Sequence, residues 1–160
     1  MDTQFAQQMI VHHEGAVEMS LLAQENAVTP EVRDLADQIE AAQGPEIERM
    51  KSWLQEWGEP AGPEGDLEGM EGMDHGDMGS AMEMEGMSQE EAMADLGSVS
   101  GAQFDHRFLE LMIEHHRGAV TMAQAALADG QDPGAQELAE QVVQDQEAEI
   151  ERMEQLLEDL

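Results

Sequence analysis

Apolar positions at the start of the chain recur three and four apart. Phe5, Met9, His12, Ala16 and Met19 fall on one stripe of a helix, with His13 on its flank. The pattern predicts a first helix over about residues 2–26, with Asp2 or Thr3 as its N-cap. Thr29-Pro30 then opens a second helix, because proline is tolerated in a first turn where its missing N–H has no partner to lose. Leu35, Ile39, Ala42, Ile47, Met50 and Leu54 give that helix its apolar stripe, and Gly44-Pro45 predicts a kink or distortion within it. No segment alternates with a period of two, so no strand is expected.

The same pattern returns. Shifting the chain by 103 positions lays residues 2–57 on 105–160 without a gap, and 22 of the 56 pairs are identical. Phe5, Met9, Ile10, His12, His13, Gly15, Ala16, Val17 and Met19 fall on Phe108, Met112, Ile113, His115, His116, Gly118, Ala119, Val120 and Met122. Glu46-Ile47-Glu48-Arg49-Met50 returns as Glu149-Ile150-Glu151-Arg152-Met153. The stretch between these blocks matches more loosely, and Glu147-Ala148 replaces the Gly-Pro pair, so the second copy should run straighter. A lone helical hairpin buries too little to be stable. The two hairpins, 1–57 and 104–160, are therefore expected to pack as one all-α four-helix bundle about an approximate two-fold axis. Two separate hairpins that pair with other chains are the alternative.

Residues 58–103 are of another kind, rich in Gly, Glu and Asp, with methionines at Met70, Met73, Met78, Met82, Met84, Met87 and Met93. They lack sustained apolar periodicity and are expected to form a flexible linker. Within them, Ser88-Gln89-Glu90-Glu91 has the form of a capping box and predicts a short helix to about Leu96.

Composition narrows the function. With 37 acidic residues against 6 basic ones, there is no basic patch to neutralise phosphates, so nucleic acid and anionic membrane surfaces are not expected partners. Such a surface attracts cations, although it equally suits solubility in salt or heat. There is no cysteine, which excludes thiolate metal sites and disulfides. No apolar run approaches the roughly 20 residues of a membrane span. No signal peptide is visible, and Met1 leads almost directly into helical sequence, as in a trimmed mature form.

The remaining chemistry lies in the repeated Met-x-x-His-His. Met9 lies beside His12 and His13 on one helix, as Met112 lies beside His115 and His116. With the turn near residues 28–29, antiparallel pairing sets residue i level with roughly residue 57 − i. His12 then faces Pro45–Glu46, and Met9 faces about Glu48, one turn from Met50, so the two best-matching blocks meet at one end of the hairpin. Thioether sulfur is a soft donor and imidazole a borderline one, a pairing that suits Cu(I), with silver following the same logic and Cu(II) also served by His and carboxylate. A carboxylate-bridged di-iron bundle would carry Glu-x-x-His, but Met9, Ile10, Met112 and Ile113 occupy the positions three before the histidines. Zinc would ask for more His or Cys in a tetrahedral set. The candidate metal ligands are Met9, His12, His13, Met19, Glu46 and Met50, with Met112, His115, His116, Met122, Glu149 and Met153. Glu46 and Glu149 could ligate, orient a histidine through its second nitrogen, or only satisfy a buried hydrogen bond. The bland reading keeps the methionines as core filler and the histidines as core residues. Met70, Met73, His75, Met78, Met82, Met84 and Met87 form a second candidate tract, and His106 reads as a surface residue. No catalytic Ser/His/Asp, Cys/His or phosphate-loop constellation is present.

The string Phe-x-x-x-Met-Ile-x-His-His-x-Gly-Ala-Val-x-Met, followed by Ile-x-x-Met-x-x-Trp-Leu, resembles the domain of unknown function 305 family. Both copies match the first part; Trp53-Leu54 completes the second, where copy two has Leu156-Leu157. The resemblance implies a bacterial, exported protein, periplasmic or extracellular, with a ferritin-like helical bundle. It also implies copper binding, as for some members, and a role in copper sequestration or relay to a delivery or efflux partner. A ferritin-like metal-dependent oxidase and a metal-free structural bundle are the competing functions.

Overall fold

Two prolines set the frame. In the computed structural model, which describes residues 1–61 and 87–160, Pro30 and Pro133 open the second helix of each hairpin. The elements are α1 (Asp2–Asn26), α2 (Pro30–Trp57), α3 (Gln89–Ser98), α4 (Ala102–Asp129) and α5 (Pro133–Asp159). Among the described residues there is no strand. α1 packs on α2 and α4 on α5, the hairpins meet chiefly through α1 and α4, and α3 lies against α4. Arg107 holds Asp95 of α3 at 2.5 Å. The capping box is present: Ser88 accepts from the Glu91 amide, and Glu91 accepts from the Ser88 amide. Those hydrogen bonds hold the exposed Glu91 carboxyl below its ordinary pKa.

Two expectations change. Neither Asp2 nor Thr3 caps α1, since Met1 holds the N-cap position without a side-chain bond. Asp2 instead accepts from the Gln131 amide, at 3.0 and 3.1 Å, in the turn between α4 and α5. Its repeat counterpart Asp105 accepts from the amides of Val28 and Thr29, at 2.9 and 2.8 Å, in the turn between α1 and α2. Residue 28 maps onto 131, so each hairpin's first aspartate clasps the other hairpin's turn, as a two-fold relation requires. Second, Ala42 is exposed, and the buried face of α2 runs through Gln43 instead. α2 continues through Gly44-Pro45. Both Pro45 and Ala41, whose carbonyl loses its helical partner, are exposed, so the break falls where water can replace the bond.

The two-fold also explains pairs that are not identical. Lys51 meets Glu14 at 3.0 Å, and at the equivalent positions Arg117 meets Glu154 at 3.1 Å, with the charges exchanged between the helices.

The core is divided in height. One apolar cluster holds Phe5, Met9, Met50 and Leu54 with Ala119 and Leu138; the other holds Met19, Leu35 and Ile39 with Phe108, Met112 and Met153. Between them, buried polar residues interrupt the bundle: His12, His13, Gln43, His115, His116 and Gln146. The two repeat blocks thus meet near mid-height, not at one end of the hairpin.

Candidate metal centre

The histidine layer follows from helix geometry. His12 and His115 project from the faces of α1 and α4 that meet at the inter-hairpin seam. Their ring centroids are 3.7 Å apart with planes tilted by 43°. Contact between one residue and its own repeat equivalent places the pair on the two-fold axis. His13 and His116 turn outward from the seam toward their own second helices. His13 Nε2 lies 2.7 Å from Glu46 Oε2, and His116 Nε2 lies 2.7 Å from Glu149 Oε2.

These carboxylates fix the tautomer. An ionised carboxylate only accepts, so Nε2 donates its proton, and the neutral ring then carries its lone pair on Nδ1. The Nδ1 atoms of His13 and His116 are buried with no hydrogen-bond partner, as is that of His115. An unsatisfied polar atom in a core costs about 1–3 kcal/mol. Bare imidazole lone pairs held by carboxylates at the far nitrogen match the way protein carboxylates orient metal-binding histidines. Of the three roles open to Glu46 and Glu149, the distances support orientation of a histidine.

Burial pushes His115 well below the ordinary histidine range, and His12, His116 and His13 add to the effect in that order. The folded protein therefore keeps this ring neutral below pH 6.5, whereas the unfolded chain takes up the proton near pH 6.5. Stability tied to His115 is complete above that value and is lost as pH falls from 6.5 toward the lower folded value. The window between pH 7 and 5.5 brackets the unfolded-state value, and comparison with a His115 variant separates this ring's contribution. The metal-free melting temperature should fall across that window, and His115→Gln should flatten the slope; an equal slope in the variant would contradict the assignment.

Methionine thioethers are the other candidate donors. Met9, Met19, Met50, Met112 and Met153 are fully buried, whereas Met122 is half-buried, so the Met19 and Met122 positions are not equivalent. Among the described residues, no three His, Asp or Glu side chains converge in a cage. A nitrogen–oxygen site for a hard or borderline ion is thus not preformed, and a metal in this layer would draw on thioethers, which favours a soft ion. Of the second tract, Met87 packs half-buried on the core; Met70, Met73, His75, Met78, Met82 and Met84 lie outside the described residues. His106 is exposed, 3.5 Å from Glu110.

Gln43 and Gln146 were not anticipated as part of this layer, although both are buried and each keeps an unpartnered Oε1. Their identity in the repeat was the available signal, but it lay in the looser stretch between the two strong blocks.

The model of the family described as domain of unknown function 305 (DUF305) matches residues 2–157. The chain belongs to the DUF305 family. It is similar to a DUF305 protein from Streptomyces coelicolor, described as secreted, at 35% identity and a TM-score of 0.83, over 99% of this chain and 92% of that one. A DUF305 fragment from Deinococcus radiodurans is 31% identical with a TM-score of 0.81, over 99% and 96%. CopM in its Cu(I)-bound form is 29% identical with a TM-score of 0.77, also over 99% and 96%. CopM structures with Cu(II) and with silver match as well. No curated protein matches the chain. Among the described residues, no helix of this DUF305 chain is long and apolar enough to cross a membrane.

Proposed function

We propose that this DUF305 chain binds copper in the polar layer of its bundle, as Cu(I) and also as Cu(II) or Ag(I), and sequesters or relays the ion in the bacterial envelope. The observation that carries the reading is the pair of buried Nδ1 lone pairs on His13 and His116, each set by a carboxylate on the ring's other nitrogen. Fully buried thioethers on both sides of the layer supply soft donors at no further desolvation cost. The similarity to CopM, solved with Cu(I), Cu(II) and silver, supports the same assignment. The secreted description of the Streptomyces relative supports an exported location.

Each Met-x-x-His-His contributes one sulfur and two nitrogens, so up to two ions are expected, sharing the His12–His115 wall. Met70, Met73, His75, Met78, Met82, Met84 and Met87 would add capture by a donor-rich tract, and a net charge of −31 would raise the cation concentration near the surface. A delivery or efflux protein is the expected recipient.

Anaerobic Cu(I) titration against a chromophoric chelator tests this. Wild-type protein should retain up to two equivalents. Glu46→Gln with Glu149→Gln should weaken binding by about 10–100-fold, the usual cost of losing the group that orients a ligating histidine. Unchanged affinity in that variant would remove the carboxylate–histidine pairs from the site.

A further inference from the structure

A cavity of about 360 Å³ joins solvent to the imidazole layer on one face of α1. Exposed Glu14 and Glu18 form its outer wall, and His12 and His115, each 4% exposed, form its inner wall. The Nδ1 of His115 is buried without a partner. Gln89, the first residue of α3, supplies the rim: its Nε2 donates to Gly15 O at 3.1 Å and to Glu18 Oε2 at 3.2 Å. Gly15 makes this approach possible, since a Cβ there would lie 2.8 Å from Gln89 Oε1.

The second hairpin does not reproduce these walls. Arg117 and Thr121 stand at the positions equivalent to Glu14 and Glu18, and the Arg117 guanidinium pairs with Glu114 and Glu154. Lys51 pairs with Glu14 at 3.0 Å but does not line the cavity.

We propose that a cation reaches the imidazole layer through this face of α1 and not through the equivalent face of α4, with Glu14 and Glu18 as a cation-concentrating vestibule and Gln89 at its rim. The inference rests on the copper-binding reading above. A cleft lined by one sign of charge focuses the field and raises the association rate, more strongly at low ionic strength. Two carboxylates at the mouth concentrate the ion without forming a cage that would retain it, so they act on the rate of loading and leave the final affinity to the histidines and methionines.

Silver(I), added as the nitrate in chloride-free buffer, tests this without reductant or chelator. Stopped-flow ultraviolet difference absorbance gives the loading rate, and calorimetry on the same samples gives the affinity. Glu14→Gln with Glu18→Gln should slow loading by about 3–10-fold at low salt, within the range of such steering effects. The difference should shrink in high nitrate, with affinity changed by less than about two-fold. Glu18→Gln alone, which leaves the Lys51 pair intact, should slow loading by a smaller factor and guards against any effect of breaking that pair. Glu114→Gln on the α4 face should load at the wild-type rate. An unchanged rate in the double variant, or equal slowing by Glu114→Gln, would overturn the one-sided route while leaving metal binding in place. Failure of the unaltered chain to take up silver at all would remove both.

Discussion

Replacing His12 and His115 together by Ala is expected to lower Cu(I) affinity by more than about 100-fold while leaving a folded helical bundle. Losing a group that merely orients a ligating histidine costs about 10–100-fold, so losing two imidazoles of the layer itself should cost more. The two rings touch on the two-fold axis, at a centroid separation of 3.7 Å, so each hairpin places a nitrogen donor beside the other's. The substitution should not unfold the chain, because apolar clusters above and below the layer hold the helices independently. It also removes His115, whose charged form burial and the neighbouring imidazoles disfavour. The gain this brings near pH 6 is smaller than the cost of the cavity left by two buried rings, so the metal-free variant should melt below the wild-type temperature while staying folded. Circular dichroism reports the fold and chelator competition the affinity, so loss of binding in a folded variant isolates the donors.

The largest expected effect on stability lies away from the histidine layer. Asp105 is fully buried, and its carboxylate accepts from the amides of both Val28 and Thr29. Asp105→Ala leaves those donors without their partner and releases the α1–α2 turn from the start of α4. Two charge-assisted hydrogen bonds are involved, and a destabilisation of about 2–3 kcal/mol is expected. For a chain of this length that corresponds to a melting temperature lower by about 5–10 °C. Asp2→Ala removes the equivalent clasp from the exposed Gln131 amide and should cost under about 1 kcal/mol, because water can replace it there. Equal losses in the two variants, measured by thermal melting at one pH, would show that burial does not decide the difference.

Much of this arrangement was legible in the sequence. Stripes such as Phe5, Met9, His12 and Ala16 defined helix faces, and the offset of 103 residues defined two hairpins and their two-fold relation. Antiparallel register brought Glu46 to the motif histidines, and the observed bond goes to His13. Ser88 and Glu91 announced α3, because a capping box is a local signal that needs no tertiary context. What was not legible depends on contacts between hairpins. The pattern made Asp2 a cap of its own helix, but the residue reaches across to the other hairpin's turn, which no local rule encodes. Ala42 fitted the apolar stripe by type, yet Gln43 is the buried residue, because the polar layer demands a polar face at that height. Pro45 lies within α2, which runs on through it on an exposed face where water can replace the lost bond. The register of one hairpin set Met9 and Met50 near each other; only the docking of two hairpins sets His12 on His115.

In the proposed reading the ion sits among histidines and methionines at mid-height in the bundle. A crystal of the full chain loaded with Cu(I), with anomalous scattering collected at the copper edge, locates it. Copper peaks are expected within the layer of His12, His13, His115 and His116, bonded to imidazole nitrogen and to thioether sulfur. Copper confined to surface carboxylates or to residues 62–86, with the histidine layer unchanged, would contradict that reading.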